Sequence, residues 1–72
     1  MEIHEKVQVA LLSRVFRATN KLTQAMLGQR CNVSQRVISY IEREEWERIQ
    51  AETIEKVKKY LEIFTGLKAT GE

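Results

Sequence analysis

The sequence predicts an all-α domain, compact and built of four helices or five, and three observations carry that prediction. Proline is absent and only three glycines occur in 72 residues, so little in the chain interrupts a helix. Apolar residues return at three- and four-residue spacing near both ends, in residues 3–18 and again in 51–66. Between those stretches, two short helical patterns each open on a hydroxyl residue followed by glutamine, Thr23-Gln24 and Ser34-Gln35.

The first helix is expected over residues 3–18. Val9, Leu12 and Phe16 form one apolar stripe, and Val7, Leu11 and Val15 form a second beside it. Together they are wider than one neighbouring helix needs, so either this helix is central or its second stripe meets another subunit. Thr19-Asn20-Lys21-Leu22 ends the pattern, and Thr23 caps a second helix from Gln24 to about Arg30. Within it Leu27 faces the core. Gly28 costs about 1 kcal/mol of helix propensity relative to alanine, a cost that makes sense where the next helix passes too close for a side chain.

Cys31 reads as a small buried hydrophobe. Asn32 falls between the two short helices, where a tight turn demands the left-handed backbone that asparagine tolerates better than most residues. Ser34 then caps a third helix, Gln35 to about Arg43, burying Val33, Ile38 and Ile41 and turning Gln35, Arg36, Ser39 and Arg43 outward. Residues 44–52 carry no glycine or proline, so one rod from Gln35 through Phe64 is conceivable. A helix of that length is hard to support in so small a domain, and the favoured reading is an irregular or single-turn connection with Trp46 and Ile49 closing the core. The last helix, Ala51 to about Gly66, has apolar residues at Ile54, Val57, Leu61 and Phe64, with Tyr60, Ile63 and Leu67 alongside. Glu52–Lys56, Glu55–Lys59 and Lys58–Glu62 stand four apart on its wet side.

Size and charge narrow the function. A chain of this length makes one domain, assigned to 1–67 with 68–72 as a flexible tail, and leaves little interior for an enclosed active site. The composition, 43% hydrophobic and 31% charged, belongs to a folded domain. No apolar run reaches the roughly 20 residues of a membrane span, and the first residues are acidic where a signal peptide is basic. One cysteine allows no internal disulfide or thiolate metal cluster, so a reducing, cytoplasmic setting without metal or cofactor is expected. The net charge of +2 is uneven: residues 1–43 hold seven Lys/Arg against three Glu, and residues 44–72 hold five against seven. The basic half contains the Gln-Arg pattern, as a surface meeting a polyanion would.

These motifs resemble the helix-turn-helix of the phage repressor and Cro-like DNA-binding family over about residues 9–64. Leu22-Thr23-Gln24 matches its Leu-Thr-Gln opening, and Leu27-Gly28 falls where it has leucine and alanine. Val33-Ser34-Gln35 matches its Val-Ser-Gln, and Ile38-Ser39-Tyr40-Ile41-Glu42 its Ile-Ser-x-Ile-Glu. Two places depart: Cys31-Asn32 replaces the usual Leu-Gly, and the connection after Glu42 is longer and more acidic than the common Asn/Arg-Gly-Lys.

The resemblance implies roles residue by residue. Gln35, Arg36 and Ser39 would enter the major groove, Gln35 reading adenine and Arg36 guanine or a phosphate. Gln24 would donate to a phosphate while steadying Gln35. Lys21, Asn20, Arg14, Arg30 and Arg43 are candidate contacts to the DNA backbone, and Lys21 and Arg43 are preferred because each borders the motif's exposed ends. Arg17 and Glu42 would form an ion pair orienting the reading helix, of small net stabilisation once desolvation is counted.

A single module reads few base pairs, so a homodimer on two half-sites is expected, through Tyr60, Ile63, Phe64 and Leu67 or through Ile3, Val7 and Leu11. The leading function is a sequence-specific regulator of double-stranded DNA, most simply a repressor blocking polymerase. Activation stays open, since Glu44, Glu45 and Glu47 offer an acidic surface to RNA polymerase or a regulatory protein. The competing reading is a protein-interaction module, an antitoxin, antirepressor or accessory factor binding through Trp46 or the last helix. An enzyme is the least supported, because His4 is the only histidine and no nucleophile-base pair is visible.

Overall fold

The computed structural model describes residues 1–69, and in it four α-helices and one 3₁₀ turn surround a single core. Helix α1 spans Ile3–Asn20, α2 Gln24–Cys31, α3 Gln35–Glu42 and α4 Ala51–Thr65, with the 3₁₀ turn at Trp46–Arg48 between α3 and α4. The stripe Val9, Leu12 and Phe16 is buried, and with Leu27, Cys31, Ile38, Ile41, Val57 and Leu61 it makes the core. The second stripe faces out instead: Val7, Leu11 and Val15 are all exposed.

Helix α1 runs two residues beyond the expected end. Nothing in Thr19-Asn20 breaks it, and the Asn20 side-chain amide donates to the Phe16 carbonyl at 2.9 Å. Termination falls to Lys21, which takes the left-handed conformation at φ 54° and returns its N–H to the Arg17 carbonyl. Asn32 does the same for α2 at φ 59°. A third left-handed residue, Glu44 at φ 58°, follows α3. Its position was not anticipated from the sequence.

The single-rod alternative for 35–64 fails, because α3 stops at Glu42 and the chain turns back through Trp46–Arg48. Trp46 and Ile49 lie half-buried against the core edge. The three i,i+4 pairs expected on α4 give way to longer-range partners. Lys58 reaches Glu5 of α1 at 3.4 Å, and Lys56 donates to the Asn32 carbonyl at 3.2 Å. Both lysines tie α4 to the rest of the domain, a use that sequence spacing does not reveal. Gly66, at φ 74°, closes α4 as expected.

The expected tail is described only to Ala69, which is buried and whose N–H donates to Glu62 at 2.7 Å. The remainder of that segment, 70–72, lies outside the described residues.

Candidate nucleic-acid interface

Two caps and one missing side chain set the geometry of α2 and α3. The Thr23 hydroxyl accepts from the Met26 N–H at 3.1 Å, and the Ser34 hydroxyl accepts from the Val37 N–H at 3.3 Å. Each thereby satisfies one of the N–H groups that a helix start leaves without an intrahelical partner. Between the two helices the Val33 N–H returns to the Gly28 carbonyl at 2.8 Å. A Cβ on Gly28 would stand 2.9 Å from the Val33 carbonyl oxygen and 3.3 Å from the Gln35 nitrogen. Glycine is therefore required by the backbone of the turn and the start of α3.

The far end of α3 is fixed by charge. Glu42 is 4% exposed, yet its carboxylate is fully used. It accepts from Arg17 Nε at 2.8 Å, Arg17 Nη2 at 2.6 Å, Ser13 Oγ at 2.5 Å and Gln24 Nε2 at 3.3 Å. Burial by itself pushes this carboxyl upward, but the hydrogen bonds from Arg17, Ser13 and Gln24 outweigh it and hold the group below its ordinary value. Arg17 is pushed further up, first by its hydrogen bond to Glu42. Arg17 also donates to the Leu22 carbonyl at 3.2 Å, and Arg14 donates to the backbone carbonyl of Glu42. One buried carboxylate thus joins α1, α2 and α3.

Sequence reasoning named Arg17 and Glu42 but missed Ser13. The signal was present, since Ser13 lies one turn from both Val9 and Phe16 on the inward side of α1, where a hydroxyl needs a partner.

With its far end held, α3 turns its first residues out. Gln35 and Arg36 are exposed, Ser39 is half-buried, and with Gln24, Ser34, Tyr40 and Arg43 they line an open concavity of about 650 Å³. Among the described residues lining it there are two arginines and no carboxylate. Gln24 lines this groove as well, but its amide is directed to Glu42 rather than reserved for Gln35. Lys21 is exposed at the turn before α2 and does not line the groove. Arg43 is at its edge, already paired with Glu45 at 2.8 Å.

The candidate interface residues on α4 separate into different surroundings. Ile63, Phe64 and Leu67 are 74%, 61% and 55% exposed. Tyr60 instead packs edge-on against the core residue Phe16, ring centroids 5.8 Å apart. Phe64 stacks on the outside of Tyr60 at 4.5 Å and, with Leu67 and Val15, lines a second, apolar groove. Trp46, the anchor of the protein-interaction reading, is committed to the core edge; among the described residues its indole N–H has no hydrogen-bond partner.

A helix-turn-helix family model matches residues 14–63, which is well over half of the chain and contains α2, the turn and α3 entire. The chain belongs to the helix-turn-helix family, of the phage repressor and Cro-like kind. Neither the curated proteins nor the solved structures include a match to it. As a helix-turn-helix protein it falls in a class of DNA-binding transcription regulators that is not typically enzymatic, with double-stranded DNA as partner. No helix among the described residues is long and apolar enough to cross a membrane.

Cys31, in the last turn of α2, is buried, and burial raises its thiol to about 11 against a weaker opposite pull from Lys56. A thiol held so far above neutrality carries little thiolate.

Proposed function

We propose that this helix-turn-helix protein is a sequence-specific repressor that inserts the first turn of α3 into the major groove. The observation that carries the reading is the exposure of Gln35 and Arg36 on a carboxylate-free groove, on a helix whose other end is locked to α1. In that pose Gln35 presents a donor and an acceptor to adenine, Arg36 takes guanine or a phosphate, and Ser39 reaches an adjacent base edge. Gln24, Lys21 and Arg43 contact the sugar-phosphate backbone, fixing register without reading sequence. Repression is steric, by occupation of promoter DNA.

The protein acts as a homodimer in this reading. The described protomer is 28 Å in its longest dimension, shorter than the roughly 34 Å between half-sites one helical turn apart, and it carries one reading helix. Phe64 and Leu67, with Val15 across the apolar groove, supply the contact, and Ile63 extends it.

Selection from a randomised duplex library with the purified protein tests the proposal, and two inverted half-sites are expected. On the selected site Gln35→Ala lowers affinity by about ten- to a hundredfold, and on random DNA by far less. Lys21→Ala weakens both alike. Equal losses on both kinds of DNA from Gln35→Ala would remove base reading from that residue.

A further inference from the structure

At the C-terminal edge of the reading groove, two arginines converge on one carboxylate and stand over one aromatic ring. Glu45 bridges Arg43 Nε at 2.8 Å and Arg48 Nε at 2.9 Å through its two different oxygens. Both guanidinium carbons also stand over Tyr40, 5.7 Å and 5.6 Å from its centroid. Tyr40 and Arg43 line the groove; Arg48, on the 3₁₀ turn, extends the basic edge beyond it. The arginine side chains are 58% and 57% exposed, and that of Glu45 is 29% exposed.

A carboxylate spanning two guanidinium groups does what a phosphodiester would do in the same place, since both are anions offering paired oxygens to the arginine fork. Stacking on Tyr40 restricts both arginines, so a phosphate meets a pair already assembled. With Glu45 in place the cluster carries +1 rather than +2.

We propose that Arg43 and Arg48 form a backbone-phosphate site flanking the reading helix and that Glu45 is its resident counter-ion, which DNA displaces on binding. This rests on the DNA-binding reading above and adds Arg48 and Glu45 to it. Glu45 then lowers affinity for any duplex by occupying phosphate-binding groups, while Gln35, Arg36 and Ser39 are left untouched.

The test is fluorescence-anisotropy titration of random and selected duplexes across a salt series. Glu45→Gln keeps the side-chain size and releases both arginines. It raises affinity about tenfold on both duplexes at low salt and steepens the slope of log K against log salt by about one unit. Arg48→Ala alone weakens binding to both duplexes modestly, and in the Glu45→Gln background it abolishes most of the gain. Glu47→Gln removes the same charge from an exposed acid outside the cluster and gives a much smaller rise.

An unchanged or weaker affinity in Glu45→Gln overturns the proposal, as does a gain that survives Arg48→Ala or is matched by Glu47→Gln. A separate titration with inorganic phosphate against chloride at equal ionic strength follows the arginine Nε–H resonances by NMR. Phosphate shifts both signals in Glu45→Gln and neither in the wild type. If no variant binds duplex DNA yet those signals shift, the DNA reading falls and the anion site stands; if they do not shift, the anion site falls.

Discussion

The two ends of α3 are held by opposite means. At the C-terminal end Glu42 is buried under hydrogen bonds from three side chains, and its carbonyl is taken by Arg14. At the N-terminal end Gln35 and Arg36 are exposed, and what fixes the backbone there is the missing side chain of Gly28, the Val33 N–H bond to the Gly28 carbonyl and the one side-chain bond that Ser34 accepts from Val37. A helix of eight residues is too short to be stable by itself. Anchoring one end against α1 therefore leaves the other free to offer its polar side chains to a partner. Position is set at one end and used at the other.

The contrast breaks most severely at Glu42. Glu42→Ala leaves Arg17, Ser13 and Gln24 facing a gap, and the loss of a buried pair's partner is expected to cost about 3 kcal/mol. For a domain of this size that is roughly 12–24 °C in melting temperature, readable by calorimetry. Replacing Arg17 and Glu42 together by apolar residues of similar volume should recover much of the loss. An unaltered melting temperature in Glu42→Ala would deny the C-terminal end its anchoring role.

Protonation tests the same group without a mutation, and with a smaller effect. The folded value of Glu42 lies below the ordinary 4.5, so its contribution is whole above that pH and is lost as pH falls through the folded value. The gap in melting temperature between wild type and Glu42→Gln is expected to narrow on acidification below about 4.5. A constant gap from pH 6 to pH 3 would contradict the assignment.

At the other end Gly28→Ala adds a methyl group where 2.9 Å is open to the Val33 oxygen. Alanine recovers about 1 kcal/mol of helix propensity, but overpacking against backbone costs about 1–3 kcal/mol, and a net loss of about 1 kcal/mol is expected. Chemical denaturation measures it, and amide shifts confined to 33–36 would locate it. The smallest effect belongs to Ser34→Ala. Losing one cap is expected to cost about 0.5–1 kcal/mol in unfolding free energy, sharpening the claim that hydrogen bonding is sparse at this end.

Local features of this fold were legible in the sequence. The buried stripe of α1, the caps Thr23 and Ser34, the close approach at Gly28 and the left-handed Asn32 each follow from properties of one residue and its near neighbours. Even the Trp46–Arg48 turn was accessible, because a rod of 30 residues has nothing to pack against. What escaped was pairing across the chain. Ser13 lies 29 residues from Glu42, and Glu5 lies 53 from Lys58. Periodicity carries no information about which distant polar groups will meet. The Arg17–Glu42 pair entered only through a family pattern, and the Arg43–Glu45–Arg48 cluster depends on the course of a connection with no regular period. The same limit applies to Phe64: it continues the spacing of Ile54, Val57 and Leu61, yet it lies outside Tyr60, which leans on Phe16.

The shielded sulfur of Cys31 supplies an intrinsic reporter. Alkylating agents reach it only when α2 and its neighbours separate, so the rate of modification counts those openings without any label being introduced. Duplex DNA that engages the adjoining turn should slow that clock.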